Sequence, residues 1–136
     1  MKRFDLIEHT ADIGINAYGA NLPEAFANAA YGLFSIITDL RKVRRSEVRK
    51  VTLEEKNSED LLFVWLNHLI YLFDAEQLIF KSCTIEKFDG RKLEASCFGE
   101  KVDPGRHPIK LGVKAATYHT LKVDPEKNQV RVIFDI

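Results

Sequence analysis

Ile13, Ile15 and Ala17 alternate with Asp12, Gly14 and Asn16, a period of two that predicts a half-buried strand ending at Tyr18-Gly19. The period then lengthens. Phe26, Ala29, Ala30, Leu33 and Ile37 recur at helical spacing and form one apolar stripe. Asn21 supplies an N-cap, Pro23 is tolerated in the first turn, and Glu24 stands three residues after the cap, as in a capping box. The helix should end at Thr38-Asp39. Beyond a basic segment from Arg41 to Arg45, residues 48–53 read as a second strand with imperfect alternation. Ser58 followed by Glu59 and Asp60 predicts a capped second helix over 59–76 with acids at the positive end of its dipole. Its two adjacent stripes, Leu61/Trp65/Leu69/Leu72 and Leu62/Leu66/Ile70/Phe73, bury more than half its circumference and mark it as the central helix.

From Phe80 onward the pattern returns to strands. Cys83 and Ile85 share a parity with Leu93, Ala95 and Cys97 across an Asp89-Gly90 turn. Keeping both sets on one face demands an odd-length connection, such as a three-residue bulged turn, and that register sets Cys83 opposite Cys97. Opposed residues are about 4.5–5.5 Å apart at Cβ, slightly too far for an unstrained disulfide, so two buried free thiols are expected. Residues 101–110, with Pro104-Gly105 and Pro108, read as an exposed loop. The chain closes with a hairpin: His119, Leu121 and Val123 on one strand, Val130, Val132 and Phe134 on the other. Strand, helix, strand, helix and then several strands predict an α+β fold: one domain over residues 1–136, a two-layer sandwich of a mixed β-sheet against two main helices.

Composition narrows the function classes. A chain of 136 residues, 46% hydrophobic and 29% charged, is expected to bury roughly two-thirds of its unfolded surface, so its stability needs neither disulfide nor structural metal. Any metal is therefore a functional suspect. Lys plus Arg equals Asp plus Glu, 20 each, which gives no overall basic field for coating nucleic acid. No leader-like or membrane-length apolar run occurs, and the expected location is the cytoplasm. The two cysteines show no zinc spacing. Walker, Rossmann, nucleophile-elbow and metalloprotease motifs are absent, and no conventional active site is visible.

Candidate chemistry rests on a few oxygens and one cation. Asp12 lies on the polar parity of the first strand, three residues after His9; on local evidence a solvated strand edge or turn is the simpler explanation of both. Strand-like sequence through Val132-Ile133-Phe134-Asp135-Ile136 would place the α-carboxylate of Ile136 beside Asp135. Adjacent carboxylates repel unless a cation compensates them, and hard oxygen ligands suit Ca²⁺ or Mg²⁺, with Asp12 as a third ligand. Lys114 is a lone cation in a small and apolar stretch, either a snorkelling surface lysine or a contact to phosphate or a partner. His119 falls on the apolar parity of its strand, which suits a hydrogen-bonded core histidine better than a ligand. His68 and His107 have no nearby partner pattern.

Four separated blocks resemble the archease family. They are Glu8-His9-Thr10-Ala11-Asp12-Ile13-Gly14 with Ala17-Tyr18-Gly19, then Glu24-Ala25-Phe26 with Thr38-Asp39, then residues 113–119, and Asp135-Ile136. The resemblance runs from end to end. It implies a non-enzymatic cofactor of the GTP-dependent RtcB-type RNA ligase of tRNA splicing, one that promotes ligase guanylylation and repeated turnover. By the same resemblance Asp12 and Asp135 match acidic metal-site residues with Ile136 close by, and Lys114 matches a lysine needed for activation. His9, Asp39 and His119 are candidates to support those ligands. The implied cofactor is a divalent ion, Ca²⁺ first, with Mg²⁺ or Mn²⁺ as alternatives. The implied partner is the ligase, with tRNA involved indirectly and no sequence-specific nucleic-acid binding by this chain. The competing reading is a chaperone or a modulator of a tRNA-modification enzyme; a small metal-dependent hydrolase is weaker, because no paired acid and base can be placed.

Overall fold

The computed structural model describes residues 2–8 and 11–136. In chain order the elements are β1 (Phe4–Glu8), β2 (Asp12–Tyr18), α1 (Leu22–Ile37), β3 (Glu47–Glu54), α2 (Ser58–Glu76), β4 (Leu78–Phe88), β5 (Lys92–Lys101), β6 (Ala115–Asp124) and β7 (Gln129–Asp135), with a short 3-10 turn at Leu40–Lys42. The α+β class is as expected. The single mixed sheet is not: the strands form two sheets, β1-β2-β7-β6 and β3-β5-β4, and every pairing is antiparallel. The pairs β1–β2, β4–β5 and β6–β7 are formed by consecutive strands, whereas β2–β7 joins strands from opposite ends of the sequence, a pairing that no local pattern specifies. Strand β1 was also unforeseen, although Phe4-Asp5-Leu6 begins its alternation.

Helix α1 starts as its spacing predicts. The Asn21 side chain accepts from the Glu24 amide, and the Glu24 carboxylate reaches back to accept from the Ala20 N–H. Thr38 ends the helix; its N–H donates to Phe34 O and its hydroxyl to Pro108 O. This helix is buried on nearly every side and packs on both sheets, so α1 rather than α2 is the central helix. Helix α2 lies mainly against β6, and its N-cap is Asn57, not Ser58. Asn57 accepts from the Asp60 N–H, which frees the Ser58 hydroxyl to donate to Gly90 O.

Trp65 of α2 is fully buried and its indole N–H donates to Phe26 O of α1 at 3.0 Å, tying the two helices together. Trp65→Phe removes the donor and leaves a small void. The expected loss is about 2 kcal/mol, read from the urea unfolding midpoint; an unchanged midpoint would refute this role.

The β4–β5 hairpin sets Cys83 opposite Cys97, as parity predicted. The odd residue is a bulge at Glu86, where the register slips between Ile85 and Lys87. Both thiols are free; Cys97 is buried and Cys83 partly so. In β6 another irregularity corrects an expectation. The register slips between Thr117 and Lys122, with Thr120 at φ 51°, and this rotates His119 out to solvent instead of into the core.

Candidate metal centre

Asp12 opens β2 and Asp135 closes β7, and the strand register pairs them directly. Ile13 and Ile15 of β2 and Val132 and Phe134 of β7 take the core face, which leaves both carboxylates on the outer face. Cβ atoms of such opposed residues stand about 4.5–5.5 Å apart, where like charges destabilise the pair. One Asp12 oxygen, Oδ1, is buried and has no hydrogen-bond partner among the described residues. A buried carboxylate oxygen without a donor costs free energy, and a cation held between Asp12 and Asp135 relieves both the desolvation and the repulsion.

The third strand completes the arrangement. Ala115 of β6 lies opposite Asp135, and the Lys114 N–H donates to Asp135 O at 2.8 Å. Lys114 is exposed at this same end of the sheet. Ile136 follows Asp135 and packs against the core margin. Among the described residues no three His, Cys, Asp or Glu side chains converge as a metal cage, so the two carboxylates need a further oxygen from the main chain or solvent. The donor set present, carboxylates only, suits a hard cation rather than zinc.

The three supporting candidates fare differently. His9 lies outside the described residues. The Asp39 carboxylate is committed elsewhere: it accepts from the Arg41 backbone N–H at 3.1 Å and from the Arg41 guanidinium at 3.0 and 2.9 Å. Those bonds hold its carboxyl down at about 2 and cap the 3-10 turn. His119 is exposed beyond the bulge.

A buried polar cluster escaped the sequence pattern altogether. Glu100 of β5 accepts from Arg106 through both oxygens at 2.7 and 2.8 Å, and from the Arg44 N–H at 2.7 Å. His107, expected in an exposed loop without partners, is fully buried. Its Nδ1 accepts from the Asp103 N–H at 2.9 Å, which places a proton on Nε2, 3.0 Å from Glu100 Oε2. The Arg106 hydrogen bonds, aided by Arg44 and His107, hold the Glu100 carboxyl at about 2. Only the folding back of the loop brings residues 100, 106 and 107 onto the segment after α1, so no local spacing could reveal the cluster.

The Archease protein family model matches residues 4–136. The chain belongs to the archease family. The protein archease of Sulfurisphaera tokodaii is 40% identical over 98% of this chain and 97% of its own length. The solution structure of Methanobacterium thermoautotrophicum protein 1598 superposes with a TM-score of 0.79 at 32% identity, covering all of both chains. The crystal structure of an archease described as a possible chaperone, from Thermotoga maritima, gives a TM-score of 0.61 at 22% identity over 96% of this chain and 94% of its own, which supports the fold alone. Of the sequence blocks that resemble archeases, those around Asp12, Lys114 and Asp135 meet at one end of the four-stranded sheet. Among the described residues of this archease-family chain, no helix is long and apolar enough to cross a membrane.

Proposed function

We propose that this chain is a cytoplasmic, non-catalytic activator of the RtcB-type tRNA-splicing ligase, and that it holds a divalent cation between Asp12 and Asp135. The observation that carries the reading is the buried, unpartnered Asp12 Oδ1, on a residue paired directly with Asp135 across β2 and β7. A main-chain oxygen of Ile136 is the proposed third ligand, and Ca²⁺ the first candidate ion, ahead of Mg²⁺ or Mn²⁺. A bound divalent ion supplies charge stabilisation for a phosphoryl group. Lys114, exposed beside it, supplies a protein cation that can meet the ligase or its nucleotide at this end of the sheet. The nucleophile for guanylylation belongs to the ligase.

The reading as a general chaperone, or as a modulator of a tRNA-modification enzyme, calls for a broad apolar surface or a different partner. The apolar groove beside Phe4, Leu6, Ile13 and Leu111 is small, about 170 Å³, and lies on the α1 side of the sheet, across from the two carboxylates. That size fits one specific contact better than many clients.

The test is multiple-turnover ligation by the cognate ligase with GTP and divalent metal, with and without this chain, beside Asp12→Ala and Lys114→Ala. Wild type should stimulate strongly, and each variant should lose at least ~10-fold of that stimulation, equivalent to about 1.4 kcal/mol. Independently of activity, Ca²⁺ at 100 times its Kd should raise the wild-type melting temperature by about 8 °C and leave Asp12→Ala unmoved. Stimulation retained in both variants would exclude the site. No stimulation by folded wild type would favour the chaperone or modification-partner reading.

A further inference from the structure

The outer face of the four-stranded sheet is built in cross-strand rows. Asp12 and Asp135 form the row at one end; four residues along β2 and β7, Asn16 and Arg131 form another, which Lys122 of β6 extends. At 3.3–3.4 Å per residue the two rows are about 13 Å apart on the same face. The basic row opens into a cavity of about 210 Å³ that Lys127, Gln129 and Asp124 also line. Three cations therefore surround one cavity in a chain whose formal charge is zero.

Three cations stand against one carboxylate, Asp124, so the lining keeps a positive excess, and among the described residues no ion pair ties Asp124 to any of the three. Asp124 Oδ1 accepts from the backbone N–H groups of Glu126 and Lys127 at 3.1 and 3.2 Å, so it is occupied in forming the β6–β7 turn. The Arg131 guanidinium is held in place, its Nε donating to the Thr120 hydroxyl at 3.1 Å. Thr120 reaches it because the bulge in β6 puts that residue at φ 51°. An oriented guanidinium with its Nη groups not engaged by that bond, two lysines, and two side-chain amides match the donor pattern that binds phosphate oxygens.

We infer that the cavity between Asn16, Lys122, Lys127 and Arg131 is a phosphate-binding site, distinct from the carboxylate pair and on the same open face. Its ligand is a phosphate ester, presented either by the backbone of a single-stranded RNA or by a small phosphorylated molecule. The inference stands on the cavity and its charges, and does not require that the chain activate a ligase.

The experiment measures binding to the full chain by heteronuclear NMR and fluorescence anisotropy, with a ten-nucleotide single-stranded RNA in one arm and inorganic pyrophosphate in the other. Amide shifts should concentrate at residues 16, 122–131 and not at residues 41–45. Single-stranded RNA binding should fall roughly 10-fold between 50 and 200 mM salt, as release of two to three counterions requires. Lys122→Gln/Lys127→Gln/Arg131→Gln should weaken whichever probe binds by at least ~10-fold and flatten its salt dependence. A charge-matched control, Lys42→Gln/Arg44→Gln/Arg45→Gln, should leave binding within about 2-fold, and circular dichroism should show both triple variants folded. Tighter RNA than pyrophosphate binding identifies the strand as the source; the reverse identifies a small phosphorylated molecule. Equal loss in the two triple variants, or no binding of either probe to wild type, would overturn the site.

Discussion

Replacing Gly99 with alanine should unfold this protein at temperatures where wild type is native, with a loss of at least about 4 kcal/mol. Gly99 lies in β5 opposite Phe80, beside the point where β4 slips register between Phe80 and Ser82. A Cβ built there would overlap the Ile79 carbonyl and stand 2.7 Å from Phe80 Cα. Both obstacles are backbone of β4, paired in register with β5, so neither can move aside as a side-chain tip would. Strand β5 pairs on both edges, and its displacement would disturb β3 and β4 together. Gly112→Ala is the control: nothing lies within 4 Å of its added methyl, and its melting temperature should stay within about 2 °C of wild type. A Gly99→Ala protein that melts within 3 °C of wild type would show that β4 yields cheaply, in conflict with this packing.

Glu100→Gln should cost about 2 kcal/mol at neutral pH and remove part of the acid sensitivity of the fold. The folded state holds the Glu100 carboxyl at about 2, against an ordinary value of 4.5. The folded protein therefore binds that proton less readily than the unfolded chain. Its contribution is fully present above pH 4.5 and is lost as the pH falls through the folded value near 2. The full shift would overstate the effect, because Arg106 is 31% exposed and can turn to water when its partner is lost. The half-buried Asp39 and the exposed Glu86 also hold lowered values and add an acid loss common to both proteins. The informative quantity is thus the difference between wild type and variant, followed by urea unfolding from pH 6 to pH 2. That gap should narrow as acid is added; a constant gap across the range would mean that Glu100 acts by shape alone.

The helices were legible because their information is local. Asn21, Pro23 and Glu24 stand at fixed offsets, and the stripes of α1 and α2 need only a 3.6-residue period. The opposition of Cys83 and Cys97 was also legible, since strand parity constrains a hairpin whatever the detail of its turn; the bulge at Glu86 supplied the odd residue. His119 was misplaced for the converse reason. One residue with positive φ, Thr120, reverses parity, and threonine carries no sign that it will adopt that conformation. The two sheets, the central place of α1 and the burial of His107 depend on contacts between distant segments. Asp12 and Asp135 were flagged by chemistry and resemblance, but their direct register across β2 and β7 emerges only when those strands meet. The row of Asn16, Arg131 and Lys122 was invisible for the same reason, because its members come from three strands.

The β2–β7 pairing also bears on when the protein becomes competent. Asp12 and Asp135 are about 120 residues apart in sequence yet form one rung of a ladder, a contact with a high loop-closure cost. Helices and the local hairpins can form early, whereas this rung must wait for both segments to be present and for the intervening layers to be in place. A nascent or truncated chain can therefore acquire much of its helical content without assembling the carboxylate pair. Cation affinity, if the pair holds one, would report completion of the global topology, separating finished molecules from partly folded ones that resemble them by circular dichroism.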